Sequence, residues 1–162
     1  MLGEKPVVTI VNGVAAGAGV SLALFGGIIL CADDAKFRAG FPGLGAVPDL
    51  GAIWTRPRAV GVPRAKDLLL SNREVLAAEA LSIGLVSRLL PSASLMEEGM
   101  KLAKQLASGP SVSLGLTKSL MRKAFETDLA EFFDAEANAQ VLAFSSADFD
   151  EGVAAFLSKR KP

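Results

Sequence analysis

Two kinds of apolar patterning divide the chain. Near the start, Val7 to Val11 is a mostly β-branched run that reads as a buried strand, and Asn12-Gly13 ends it, since both residues tolerate positive φ. The next residues, Ala15-Ala16-Gly17-Ala18-Gly19, are small, and Ser21 to Phe25 are good helix formers, so the pattern predicts strand, tight turn, helix. Gly26-Gly27 closes that helix and Ile28 to Ala32 predicts a second buried strand. Such a strand–helix–strand unit implies a parallel, right-handed crossover. Asp33-Asp34 form a polar turn, Lys36 to Ala39 predicts a short strand, and Phe41 to Val47 is a loop rich in Gly and Pro. Asp49 stands where a helix can begin, with residues 50–60 following and Pro57 kinking or ending it.

Beyond this the pattern is helical. Short helices are predicted over 63–70, with Pro at the start, and over 77–83, closed by Gly84; between them and the next helix, Leu85 to Leu90 suits a short strand. Ser94-Leu95-Met96-Glu97 has the form of a capping box, and Met96, Met100, Ala103 and Ala107 recur on one face. Gly109-Pro110 separates that helix from one over 111–126. Asp128 begins a third, which aligns Phe133, Ala137, Val141 and Phe144. The segment from Asp148 begins a fourth, expected to turn Phe149, Val153, Phe156 and Leu157 inward. No linker, repeat or low-complexity segment interrupts the chain, so its 162 residues read as one domain with a proper core.

Composition narrows the chemistry. Seventeen basic and seventeen acidic residues balance, leaving no global field to recruit nucleic acid or an anionic membrane. Histidine and tyrosine are absent, so proton transfer must use a carboxylate, Lys, the single Cys31 or water, and imidazole metal sites are excluded. Cys31 sits in an apolar run, where a buried inert thiol is expected, and the lack of a partner cysteine fits a reducing cytoplasm. No charge occurs between Val7 and Ala32, which is long enough to span a membrane, but five glycines with Thr9 and Asn12 break that stretch into strand, helix and strand.

The small residues before the first helix have two readings. The first N–H groups of a helix lack intrahelical partners and carry the positive end of its dipole, and Gly and Ala leave them sterically bare. An oxyanion developing on a thioester carbonyl would be stabilised there. Close helix–strand packing demands the same residues. Their spacing does not fit a dinucleotide fingerprint.

Taken together, Lys5-Pro6-Val7, Val11-Asn12-Gly13, Gly17-Ala18-Gly19, Gly45-Ala46-Val47-Pro48-Asp49 and Glu151-Gly152-Val153-Ala154-Ala155-Phe156-Leu157 resemble the enoyl-CoA hydratase/isomerase (crotonase) superfamily, in order and over nearly the whole chain. Within it, the Asn12 to Gly19 run, Trp54 and Ser146-Ala147-Asp148-Phe149 most resemble the ring-epoxide isomerases of phenylacetate breakdown. The resemblance implies an α/β fold: a ββα spiral core, partial here over 1–90, then a helical region over 91–162 that packs into trimers or hexamers. It implies an acyl-CoA thioester as partner, with coenzyme A as part of the substrate, no further cofactor, no metal, and a cytoplasmic setting. Matching residue by residue, the backbone N–H of Ala18 becomes an oxyanion donor, with Gly17 and Gly19 beside it. Asp49 becomes the carboxylate that shuttles a proton between carbons, although it would equally serve as a helix N-cap. Burial among Leu50, Val47 and Phe41 is expected to raise its basicity. Phe41 and Trp54 become candidate walls of an acyl pocket, or core, and Lys159 a contact for CoA phosphates.

Hydratases of the family use two glutamates, and this chain has Ser21 and Phe41 at those places, so the resemblance favours a double-bond isomerase over a hydratase. Gly27 and Ala52 also depart from the family pattern, which usually has Asp and Gly there. Family members carry a substantial part before the Lys-Pro-Val strand, including a second oxyanion donor. Here Met1 stands four residues before Lys5, so the expected fold is the C-terminal part of the spiral. A non-catalytic relative that only oligomerises or binds acyl-CoA is the alternative.

Overall fold

The computed structural model describes residues 3–161. These fall into two compact units, one over Val7–Ala103 and one formed by residues 3–6 with residues 104–161.

The first unit is built on two small sheets. β1 (Val8–Val11) pairs in parallel with β3 (Ile28–Ala32), with Val8 opposite Ile28, and β3 pairs in parallel with β6 (Arg88–Leu90). The parallel arrangement follows from the intervening helix, α1 (Ala18–Ala23), as the sequence predicts. The second sheet comprises β2 (Val14–Ala16), β4 (Lys36–Arg38) and β5 (Glu74–Leu76), parallel between β2 and β4 and antiparallel between β4 and β5. Neither β2 nor β5 was expected from the pattern. Both are three residues long, with one buried side chain each, Ala15 and Val75, which is too short for period-two alternation to register.

The core is small and aliphatic. Leu30, Cys31 and Ala32 are fully buried in the middle strand, and burial pushes the Cys31 thiol pKa up, consistent with an inert packing role. Ile10 packs so closely on Gly99 of α5 (Leu95–Ala107) that a Cβ there would overlap its Cδ1. This explains a departure from the expected face of α5. Leu95, Gly99 and Leu102 are its buried residues, whereas Met96 and Met100 are exposed. Nor does Ser94 cap it: its hydroxyl donates back to the Pro91 carbonyl.

Three further helices complete this unit. α2 (Ala52–Val60) contains Pro57 without ending there, α3 (Val62–Ser71) has Pro63 in its first turn, and α4 (Ala77–Ser82) is followed by Gly84 at φ 78. Arg73 ties α3 to α4, donating to Asp67 at 2.8 Å and to both carboxylate oxygens of Glu79.

The second unit holds α6 (Ser111–Lys123), α7 (Leu129–Phe144) and α8 (Ala147–Leu157). Asp128 caps α7 by accepting from the Glu131 N–H at 2.9 Å, and Ser146 caps α8 by accepting from the Phe149 N–H. Lys118 Nζ donates to the carbonyls of Gly3 and Lys5, fixing residues 3–5 on α6. Phe144 and Phe149 pack ring to ring at 4.5 Å between α7 and α8. The expected inward face of α8 is not inward within the chain: Phe156 is 82% exposed, and Leu157, Phe149 and Val153 are also exposed. Phe133, Val141 and Phe144 of α7 are exposed as well. Ala139 and Ala155 are the buried residues of these two helices.

Among the described residues, no helix is long and apolar enough to cross a membrane, and no group of His, Cys, Asp and Glu side chains could hold a metal ion.

Candidate active site at the start of α1

The turn into α1 is made by Gly17, at φ 53 and ψ −124, a conformation that a side chain would strongly oppose. Its N–H donates to the Arg38 carbonyl at 3.1 Å, while its own carbonyl accepts from the Val20 and Ser21 N–H groups. The N–H groups of Ala18 and Gly19 have no backbone acceptor among the described residues, as expected for the first turn of a helix, and both residues are exposed. The helix therefore begins three residues earlier than the composition suggested, at the small residues themselves.

Opposite this turn runs the Ala39-Gly40-Phe41 segment. Gly40 has φ 81, and a Cβ on it would lie 3.1 Å from the Gly17 nitrogen, so the two backbones meet where only glycines fit. The Phe41 ring reaches Gly17 as well, its Cζ standing 4.0 Å from where a Gly17 Cβ would be. Asn72 holds this approach: its Oδ1 accepts from the Gly40 N–H at 2.6 Å and its carbonyl accepts from Arg38 Nε at 2.9 Å. Asn72 was not singled out from the sequence. Its signal is weak but physical, an Asn just after a helix, here at φ 55, the left-handed C-cap that Asn tolerates.

Ser21 is fully buried, and its hydroxyl donates toward the Gly17 carbonyl one turn back. It is turned into the fold and carries no carboxylate. Phe41, half-buried, is apolar.

Asp49 lies in the loop after the 3-10 turn at Pro42–Leu44 and does not cap a helix. Its carbonyl accepts from the Ala52 N–H at 3.0 Å, and Leu50 and Gly51 follow in left-handed conformations, at φ 47 and φ 69, before α2 begins at Ala52. Gly51, not Asp49, holds the N-cap position, and no side chain caps it. A leucine at positive φ costs on the order of 1–2 kcal/mol, so the surrounding turn holds this bend against its own preference. The expected burial of Asp49 is absent within the chain: Asp49 is exposed and Val47 is 75% exposed. Leu50 is exposed too, and a hydrophobic neighbour in sequence is not thereby a covering neighbour in space.

Trp54 does not fill core. It is 38% exposed, and the Arg58 guanidinium stacks 3.8 Å from the centre of its ring while donating to the Trp54 carbonyl. Gly17, Ala18, Gly19, Phe41, Asp49 and Trp54 all belong to the first unit, and the first four meet at the start of α1. Lys159, exposed and at φ 53 beyond α8, belongs to the second unit.

The family model described as enoyl-CoA hydratase/isomerase matches residues 1–162. The chain belongs to the enoyl-CoA hydratase/isomerase family. It is 42% identical over 158 residues to the 1,2-epoxyphenylacetyl-CoA isomerase of Escherichia coli, covering 98% of this chain and 60% of that protein. It is 37% identical to the crotonyl-CoA hydratase of Syntrophomonas wolfei, covering 98% of this chain and 61% of that one. Among solved structures, an enoyl-CoA hydratase/isomerase from Cupriavidus metallidurans superposes with a TM-score of 0.94 at 38% identity, over 98% of this chain and 60% of that one. The α/β crotonase fold expected from the sequence is thus the fold observed. The chain spans about 60% of the length of the curated relatives it matches.

Proposed function

We propose that this chain is part of an acyl-CoA double-bond isomerase of the crotonase type, in which Asp49 moves a proton along the acyl chain. The observation that carries this reading is the pairing of a carboxylate at Asp49 with the lack of one at Ser21 and Phe41. A hydratase must place and activate water with an acid/base pair. Ser21 is buried with its hydroxyl on a backbone carbonyl, and Phe41 is apolar. An isomerase needs only one base, which removes a proton beside the thioester-stabilised enolate and returns it to another carbon.

In this reading the Ala18 N–H, with Gly17 and Gly19 leaving room beside it, donates to the enolate oxygen. Phe41 and Trp54 form part of the acyl wall. Lys159 pairs with a CoA phosphate. The exposed apolar side chains of α7 and α8 support assembly into a homotrimer or hexamer.

The test is double-bond migration in a trans-3-enoyl-CoA, followed beside hydration of crotonyl-CoA, with the chain and its Asp49→Asn variant. The expected outcome is migration without hydration, and a fall of about 100-fold or more in the variant, the usual size of a general-base contribution. Unchanged migration in the variant would remove Asp49 from the mechanism, hydration at a comparable rate would favour the hydratase reading, and acyl-CoA binding without turnover would make the chain a binding protein.

A further inference from the structure

Arg56, in the middle of α2, is 2% exposed and is the one buried charged side chain among the described residues. Ser21 and Thr55, the other buried polar residues, each bond to a backbone carbonyl one turn earlier. Arg56 has no comparable outlet. Its Nη2 finds no hydrogen-bond partner among the described residues, and no ion pair among them includes it.

The same side chain lines a cavity of about 10 Å³, beside Val20, Phe37 and Leu68 and together with Arg38 and Arg73. The acidic groups of these elements are already engaged: Asp67 and Glu79 with Arg73, and Glu74 with Lys36. Arg38 bonds to the Asn72 carbonyl, which carries no charge. Two deficits therefore coincide at Arg56, an unmade hydrogen bond and an uncompensated positive charge. A guanidinium does not relieve the second by losing its proton. A water molecule would satisfy the donor and leave the charge. A carboxylate, phosphate or sulfate would satisfy both but is several atoms across, whereas a halide is a single atom only somewhat larger than the water that such a space suits.

We propose that this cavity is a binding site for a single monoatomic anion, of which chloride and bromide are the probes, with Arg56 as its principal ligand and Arg38, which no carboxylate among the described residues pairs, contributing positive potential. The anion acts as the counter-ion that lets α2 bury an arginine against the β2–β4–β5 sheet.

The experiment is thermal unfolding of the 162-residue chain in sodium chloride, sodium bromide and sodium gluconate at equal ionic strength, beside Arg56→Met, together with anomalous scattering from crystals soaked in bromide. The wild-type midpoint is expected to be higher in either halide than in gluconate. Above the dissociation constant, each tenfold rise in halide should raise the folding constant about tenfold. Arg56→Met should unfold at the same temperature in all three salts, and bromide should give an anomalous peak at Arg56 Nη2. Equal wild-type midpoints in halide and gluconate would overturn the proposal, as would an undiminished halide effect in Arg56→Met, which would mark a general salt effect. If Arg56→Met does not fold, the bromide peak decides: a peak supports the site, and water alone at Nη2 overturns it.

Discussion

At the scale of single residues, the organising contact is the approach of Gly40 to Gly17, and Asn72 is what holds it. Replacing Asn72 by Ala removes the acceptor for the Gly40 N–H and places a Cβ-bearing, non-Asn residue at φ 55. The expected cost is about 2 kcal/mol, roughly half from the lost bond and half from the backbone, measured by urea unfolding. Asn72→Gly keeps the conformation and loses only the bond, so it should recover about half of that loss. The same residues show what was legible. Gly17 and Ala18 are readable because only small residues allow the helix start, whereas Asn72 is contributed from 32 residues beyond Gly40, and no local pattern marks so distant a partner.

At the scale of elements, caps and ties matter most where packing within the chain is thin. α7 has Ala139 as its buried residue, so its start depends on Asp128. Asp128→Ala should reduce stability by about 1 kcal/mol and lower the helical circular dichroism signal, while Asp128→Asn should be close to neutral. The α3–β5–α4 tie through Arg73 makes a pH prediction. The Arg73 hydrogen bond, then its charge, holds the Glu79 carboxyl below its ordinary value of 4.5. A depressed carboxyl contributes stability that is fully present above its unfolded value and lost as pH falls through the folded one. In wild type, acidification below about pH 4.5 should therefore cost more stability than in Glu79→Gln, in acid titrations followed by urea midpoint; the pair is solvent-exposed, so the difference is expected to be small. The sequence pattern placed most helices within two or three residues. It failed on the inward face expected of α8, and for α5 and α7 apolar periodicity names a stripe without naming what covers it.

At the scale of the whole molecule, the apolar stripes of α7 and α8 are the feature a lone chain leaves unexplained. Phe156, Leu157, Phe133 and Val141 are all exposed, which is more apolar surface than a small helical unit usually leaves bare. If these stripes are assembly surfaces, Phe156→Glu with Val141→Glu should shift the chain to monomers in sedimentation velocity, with little change in its far-ultraviolet circular dichroism. An unchanged sedimentation coefficient would remove these faces from assembly. Membership of the enoyl-CoA hydratase/isomerase family rests on the full length of the chain, whereas the activity belongs to proteins of which it spans about 60%.

The sequence by itself determined the parallel β1–α1–β3 unit, the glycine-lined helix start and the family, because each depends on local residue size, periodicity or a motif contiguous in the chain. Only the tertiary structure decided that Asp49 stands exposed on a bend held by Leu50 and Gly51, that Ser21 is turned inward, and that Arg56 is buried without a counter-charge. Those are properties of how distant segments meet. A residue's neighbours in space are chosen by the packing of the elements that carry it, and the order of the chain does not record that choice.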